Sequence, residues 1–234
     1  LKNTQNDFFL LCRRAPDRLV QTVVELCRQR LPNNMGIPAE QIQVLSPTRK
    51  GVCGTVNLNR ALQAALNPPA AGKRQKLWGD MVFREGDRVM QTRNNYDVVW
   101  EKDDGAMGAG IFNGDVGVIQ EIDPSGELIT IQFDDRTCVY TADLLNQLDM
   151  AYAMTVHKAQ GSEYRCVVLV SAAVAPALMV RGVLYTAITR ARELLVLVGD
   201  DVAPGQMAAN DRQQRRYSGL RRRLREEAAN HGME

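Results

Sequence analysis

Metal-ligand spacing, a membrane-length apolar run and a large excess of one charge are all missing from this sequence of 234 residues. The five cysteines, Cys12, Cys27, Cys53, Cys138 and Cys166, form no CxxC pair, and only two histidines accompany them. No donor set at zinc spacing is left, and scattered thiols are expected of a reduced, metal-free, cytoplasmic protein. The longest apolar stretch, Cys166 to Val180, is broken by Pro176 and stops at Arg181, whereas a membrane span needs about 20 residues. Twenty-nine basic against 27 acidic residues leave a net +2, a balance that does not by itself mark a nucleic-acid binder. The charge is uneven: from Pro204 onward seven arginines face four carboxylates, so a polyanion site in the body must be local. The start, LKNTQNDFF, has no initiator Met, no basic n-region and no cleavage pattern, as expected of a segment of a longer chain.

With 45% hydrophobic and 24% charged residues, the chain is long enough for one large α/β domain or two smaller ones with real cores. Residues 7–11 predict a short strand, and Leu19, Val20, Val23, Val24, Leu26, Cys27 and Leu31 recur at helical spacing after Pro16 and Asp17, up to Pro32. Residues 41–46 predict a buried strand and 55–66 a second amphipathic helix, a β-α-β-α order that signals a parallel sheet. After Asn67-Pro68-Pro69 the texture changes. Short, roughly alternating strands are predicted at 89–92, 116–122, 128–134 and 137–142, separated by Asn113-Gly114, Asp123-Pro124-Ser125-Gly126 and Asp134-Asp135. Such spacing suggests a small antiparallel barrel inserted in the α/β domain. The parallel-sheet texture returns in CVVLVSA and LLVLVGD, with a helix predicted over 180–192 between them. Leu220 and Leu224, with the pairs Arg222/Glu226 and Arg223/Glu227, predict a short surface helix in the tail.

Two stretches set hydrogen-bonding residues directly beside apolar strands: TVHKAQGSEY, 155–164, and LYTAITRAR, 184–192. Ligand loops of open parallel sheets sit in such places. Gly161 lets the backbone approach a ligand, and Thr155, His157, Gln160 and Glu163 offer donors and acceptors to phosphate, base or ribose. Structural roles compete: Gly161 ending a turn, Glu163 capping a strand entry, His157 a satisfied histidine, Arg190 a helix-surface residue in a salt bridge. Pro47, Thr48, Arg49 and Lys50 follow a strand end and suit either a phosphate or a solvated turn. Arg93, Asn94, Asn95 and Tyr96 form a polar loop with one aromatic, suited to phosphate and base contacts or to a plain turn. The glycine-rich segment 105–110 has no following Lys-Ser/Thr and reads as a flexible loop. The tail arginines read as a solvated helix face, with non-specific DNA attraction as the lesser reading.

The ordered set SPTRKG, FREGDRVMQTRNNY, FNGDVGVI, THKAQGSEY and LYTAITRAR resembles the C-terminal half of a superfamily 1 DNA helicase of the RecD type. SPTRKG is similar to motif IVa, THKAQGSEY to motif V and LYTAITRAR to motif VI. The resemblance covers nearly the whole chain up to about Asp200, and departs at Ala159, where many relatives carry Ser. It implies an α/β fold: a RecA-like parallel sheet flanked by helices, with an inserted Src-homology-3-like small antiparallel β-barrel. The second RecA-like domain would occupy 1–72 and 148–203, the barrel 80–147 and a basic tail 204–234. It also implies ATP and Mg²⁺ in a cleft against an upstream RecA-like domain of the same parent chain, with Arg190 as the arginine finger. Glu163 would hold the ribose, and Gln160, Gly161 and Ser162 would line the cleft. Single-stranded DNA would be met by Thr155 and His157, and further by Thr48, Arg49, Asn94 and Asn95.

No GxxxxGK[ST] and no DExx-type strand end occurs in the sequence. ATP and Mg²⁺ are therefore expected to be held mainly by the upstream domain, and this segment alone to be inactive. The implied activity is ATP-driven 5′ to 3′ translocation and unwinding in DNA recombination and repair, alone or beside other exonuclease subunits, away from membranes. A non-catalytic nucleic-acid-binding module and the helicase part of a conjugative relaxase are the alternatives.

Overall fold

The computed structural model describes residues 6–172, 175–211, 219, 223–225 and 227. Strand β1 (Phe8–Cys12) leads into helix α1 (Pro16–Glu25), which opens with Pro16 and Asp17 in its first turn and buries Leu19 and Val23. The expected stop at Pro32 does not occur. Leu26–Arg30 form a π-turn, the Leu31 N–H bonds to Leu26 O, and helix α2 (Leu31–Met35) carries on past the proline. The widened turn moves away the carbonyl that the Pro32 ring would meet in an α-helix, so the proline is tolerated. Gly36, at φ 62°, ends α2 in the left-handed region. Strand β2 (Ile42–Ser46) is buried throughout, and helix α3 (Thr55–Leu66) buries Leu58 and Leu62.

The middle of the chain is richer in strands than its sequence predicts. A hairpin of β3 (Gln75–Trp78) and β4 (Met81–Arg84) turns at Gly79, φ 57°. Then follow β5 (Arg88–Gln91), β6 (Asn95–Lys102), β7 (Met107–Ile111), β8 (Val116–Ile122), β9 (Leu128–Phe133), β10 (Arg136–Thr141) and β11 (Leu148–Met150). These last seven form an antiparallel sheet in the order β11-β5-β8-β9-β10-β6-β7, around Val89, Ile119, Ile129, Ile131, Phe133 and Tyr140. Two expectations are corrected. The segment 105–110 is no loop beyond its first turn, because Gly108 lies opposite Trp100 in the β6–β7 pair and a Cβ there would stand 2.3 Å from the indole. Asn95 and Tyr96 likewise begin a strand rather than end a turn. Strand β11 pairs with β5, so the sheet runs three residues past position 147.

Strands β12 (Ala153–Thr155) and β13 (Tyr164–Ser171), helix α4 (Arg181–Ile188), strand β14 (Ala191–Gly199) and helix α5 (Ala203–Ala209) complete the α/β part. Its sheet has the order β1-β14-β13-β2-β12, every pair parallel. Period-two alternation sorts β13 onto two faces. Cys166, Val168 and Val170 join the core formed with α1 and α3, while Val167 and Leu169 join Val156, Ala159, Val183, Leu184 and Ala187. Helix α4 stops four residues short of the expected 192 because the chain enters the parallel sheet there: the Tyr164 N–H bonds to Arg190 O and Ala191 pairs with Tyr164. The paired-charge helix around 220–227 lies largely outside the described residues. Among the described residues no helix is long and apolar enough to cross a membrane.

The two parts meet at Asp87, which is fully buried. Its carboxylate accepts from Gln63 Nε2 (2.6 Å), Asn67 Nδ2 (2.7 Å), the Arg84 N–H (2.7 Å) and the Tyr152 hydroxyl (2.9 Å). One group thereby ties α3, the β3–β4 hairpin, the barrel and the approach to β12.

Candidate nucleic-acid interface and nucleotide face

The loop after β2 is wound tightly onto the start of α3. Ser46 Oγ donates to Cys53 O (2.8 Å), and the Gly54, Thr55 and Val56 N–H groups bond to the carbonyls of Gly51, Thr48 and Arg49. The amides at the start of the helix are thus already used and are not free for a phosphate. Arg49 and Lys50 are exposed and Thr48 is half-buried. Strand β12 lies beside β2 with Thr155 level with Ser46, which brings Thr155 to the same loop, and His157 stands exposed just beyond. Lys158 donates to Asp149 Oδ2 at 2.8 Å, and Arg49 Nη2 lies 3.6 Å from Asp149 Oδ1. A carboxylate from β11 is therefore bracketed by cations from two different loops. Arg49, Thr155 and Lys158 all line one cavity of about 650 Å³, with Arg60 and Trp78.

Asn94 and Asn95 are not part of that group. Asn95 donates to Gln147 Oε1 (3.0 Å) and accepts from the Asp97 N–H (3.0 Å), and Asn94 Oδ1 accepts from the Asn113 N–H (3.0 Å). Asn95 is thus engaged at both ends of its amide inside the barrel, whereas Asn94 is exposed and bonded through its oxygen alone. Lys158, Arg60 and Trp78 are among the lining residues that carry no ligand signal of their own in the sequence. Lys158 stands next to His157 in a stretch already singled out, whereas Trp78 belongs to a hairpin with no clear alternation.

From Thr155 the chain crosses the sheet from the strand ends to the strand starts in short turns: Ala159 N–H to Thr155 O, Gln160 N–H to His157 O, Ser162 N–H to Ala159 O. Ala159 is fully buried in this crossing, and Gly161 takes φ 88° with nothing within 4 Å of a would-be Cβ. At the strand-start edge the segment meets Arg190. That guanidinium donates to Ser162 O (2.9 Å), Thr186 O (3.2 Å) and Thr189 Oγ1 (3.1 Å). Among the described residues no carboxylate is paired with it. Glu163 is instead paired with Arg192 at 2.9 Å, both exposed, and Gln160 is exposed beside them. Ser162, Glu163 and Arg190 thus come together at the strand starts and Thr48, Arg49 and Thr155 at the strand ends, with His157, Gln160 and Gly161 in the crossing between them. All five cysteines are free thiols, and burial pushes Cys27 and Cys166 up to about 12.

Residues 58–133 match the ATP-dependent RecD-like DNA helicase SH3 domain, and residues 150–198 the UvrD-like helicase C-terminal domain. The ATP-dependent RecD2 DNA helicase of Deinococcus radiodurans is 36% identical over 184 residues, 79% of this chain and 23% of that protein. The RecBCD enzyme subunit RecD of Mycolicibacterium smegmatis is 31% identical over 186 residues, 80% of this chain and 30% of that one. The chain spans less than a third of the length of these two relatives. The crystal structure of a Pif1 helicase from Bacteroides with ADP-AlF3 and ssDNA aligns over 93% of this chain and 51% of its own, at TM-score 0.46 and 16% identity. Carrying in one polypeptide the RecD-like SH3 domain and the UvrD-like C-terminal domain on a RecA-like parallel sheet, the chain belongs to the RecD-like DNA helicases of superfamily 1.

Proposed function

We propose that this chain is the second motor domain of an ATP-dependent helicase that moves 5′ to 3′ on single-stranded DNA and separates the duplex ahead, in DNA recombination or repair in the cytoplasm. The carrying observation is the division of polar residues between the two edges of one sheet, joined by the crossing from Thr155 to Tyr164. Residues at the strand starts and in the crossing suit one wall of a nucleotide site: a guanidinium with no carboxylate partner among the described residues, an open left-handed glycine, and the exposed Gln160 and Glu163. ATP, when bound, supplies the phosphoryl group whose transfer drives the cycle. Arg190 would meet charge spread over the γ-phosphoryl oxygens, Gly161 would admit the phosphates close to the backbone, and Glu163 would exchange Arg192 for ribose hydroxyls. With no GxxxxGK[ST] in this sequence, the phosphate-binding loop and the Mg²⁺ that goes with it are assigned to the upstream RecA-like domain. Arg49, Thr155, His157 and Lys158 hold the strand at the opposite edge, mainly through phosphates.

The test joins this chain to an ATP-binding RecA-like domain and compares forked duplexes. Unwinding should require a 5′ single-stranded tail, and the 234-residue chain alone should hydrolyse no ATP in the presence of DNA. Unwinding from a 3′ tail, or DNA-stimulated hydrolysis by the isolated chain, would overturn the assignment.

A further inference from the structure

The cavity of about 650 Å³ is bounded by α3, the tip of the β3–β4 hairpin, β11 and β12. Its interior is soft and apolar, with Met90, Met150 and Met154 buried and Trp78 and Met81 half-buried. Its rim carries Arg49, Arg60 and Lys158. Arg60 makes no ion pair among the described residues, whereas Arg49 and Lys158 share Asp149, and Asp80 is the only other carboxylate on the lining. The wall amides are already committed. Asn59 Nδ2 donates to Met150 O and Ala153 O while its Oδ1 accepts from the Ala153 N–H, and Gln63 Nε2 donates to Val82 O and Asp87.

We propose that this cavity takes one unstacked nucleobase of the bound strand, without regard to its identity, against Trp78. The inference rests on the strand-binding reading above and adds a base subsite to it. Cations at the rim and an apolar, polarisable floor fit a phosphodiester whose base turns inward. An aromatic ring and methionine thioethers accept any π-face. Spent amide donors leave little to read a base edge with, so selection among bases is weak. A neutral apolar ligand would leave Arg60, which has no ion pair among the described residues, without a role.

Two tryptophans occur, Trp78 and Trp100, so Trp100→Phe leaves Trp78 as sole reporter. In that background an oligothymidylate should quench the fluorescence saturably, while an abasic oligomer of equal length should bind about tenfold more weakly and quench little. Trp78→Ala should lower oligothymidylate affinity about tenfold, to near the abasic level, and leave abasic affinity unchanged; Trp78→Phe should restore most of the loss. Oligomers of dT, dC and dA should differ by only about threefold. Equal affinity for the base-bearing and abasic strands, an equal loss for both on Trp78→Ala, or strong preference for one base overturns the pocket while the strand-binding reading stands. Failure of the chain to bind either oligomer removes both.

Discussion

Arg190 shows how a single side chain separates two roles by magnitude. In the structure its guanidinium holds Ser162 and Thr186 carbonyls, with no carboxylate paired to it among the described residues. If it serves charge that develops only as the phosphoryl bond breaks, Arg190→Ala in a protein that includes the ATP-binding domain should leave nucleotide affinity nearly intact. Its kcat should fall by about 10³ to 10⁵. Arg190→Lys should recover little, since an ammonium cannot reproduce the planar fork. The measurement pairs kcat with the Kd of a non-hydrolysable ATP analogue. A kcat within a few-fold of wild type would return Arg190 to the structural task of tying the crossing segment to α4.

At the scale of elements, glycine and proline act through space as much as through conformation. Pro32 does not end its helix, because the π-turn before it shifts the hydrogen-bond register. Gly108 sits in a strand because the Trp100 ring occupies the place of its Cβ. Gly108→Ala should therefore push the indole off its site or part β6 from β7, at a cost of about 2 kcal/mol, typical of overpacking. Urea unfolding followed by Trp100 fluorescence in a Trp78→Phe background checks this, with an altered emission maximum of the folded state. An unchanged midpoint would mean that the ring has room to move.

Over the whole molecule, Asp87 is the joint between barrel and sheet. Burial pushes its carboxyl above the ordinary range although Asn67, Tyr152, Gln63 and the Arg84 N–H all donate to it. Native structure thus disfavours the charged form more than the unfolded chain does. Stability should fall as pH rises from the ordinary carboxylate value through the higher folded one, then stay level. Asp87→Asn should flatten that part of the profile, measured as the urea midpoint against pH. Asp87→Ala, which strands four donors at the junction, should cost about 3 kcal/mol or more. A loss below about 1 kcal/mol would show that the continuous apolar core, and not this carboxylate, holds the two parts together.

The sequence by itself determined the local elements whose side chains sort by periodicity. The buried runs became β2, β13 and β14, the 3.6-residue spacing became α1 and α3 (Thr55–Leu66 at both expected ends), and turn signals bounded β8, β9 and β10. It also marked the polar stretches of 155–164 and 184–192, because polar residues beside buried strands stand out in any window. Tertiary structure alone decided what those residues meet. The mixed polarity of β6 and the two glycines of β7 mimic a loop, and they become strands through pairing with each other and of β6 with β10. Asn95 resembles a ligand residue until Gln147, 52 positions away, takes its amide. Arg49, Trp78 and Lys158 share a cavity only because β12 docks beside β2 and the hairpin folds over α3. Periodicity reports which face a side chain takes. Which residues from distant segments close on one another depends on strand order and register, and no local window of sequence contains those.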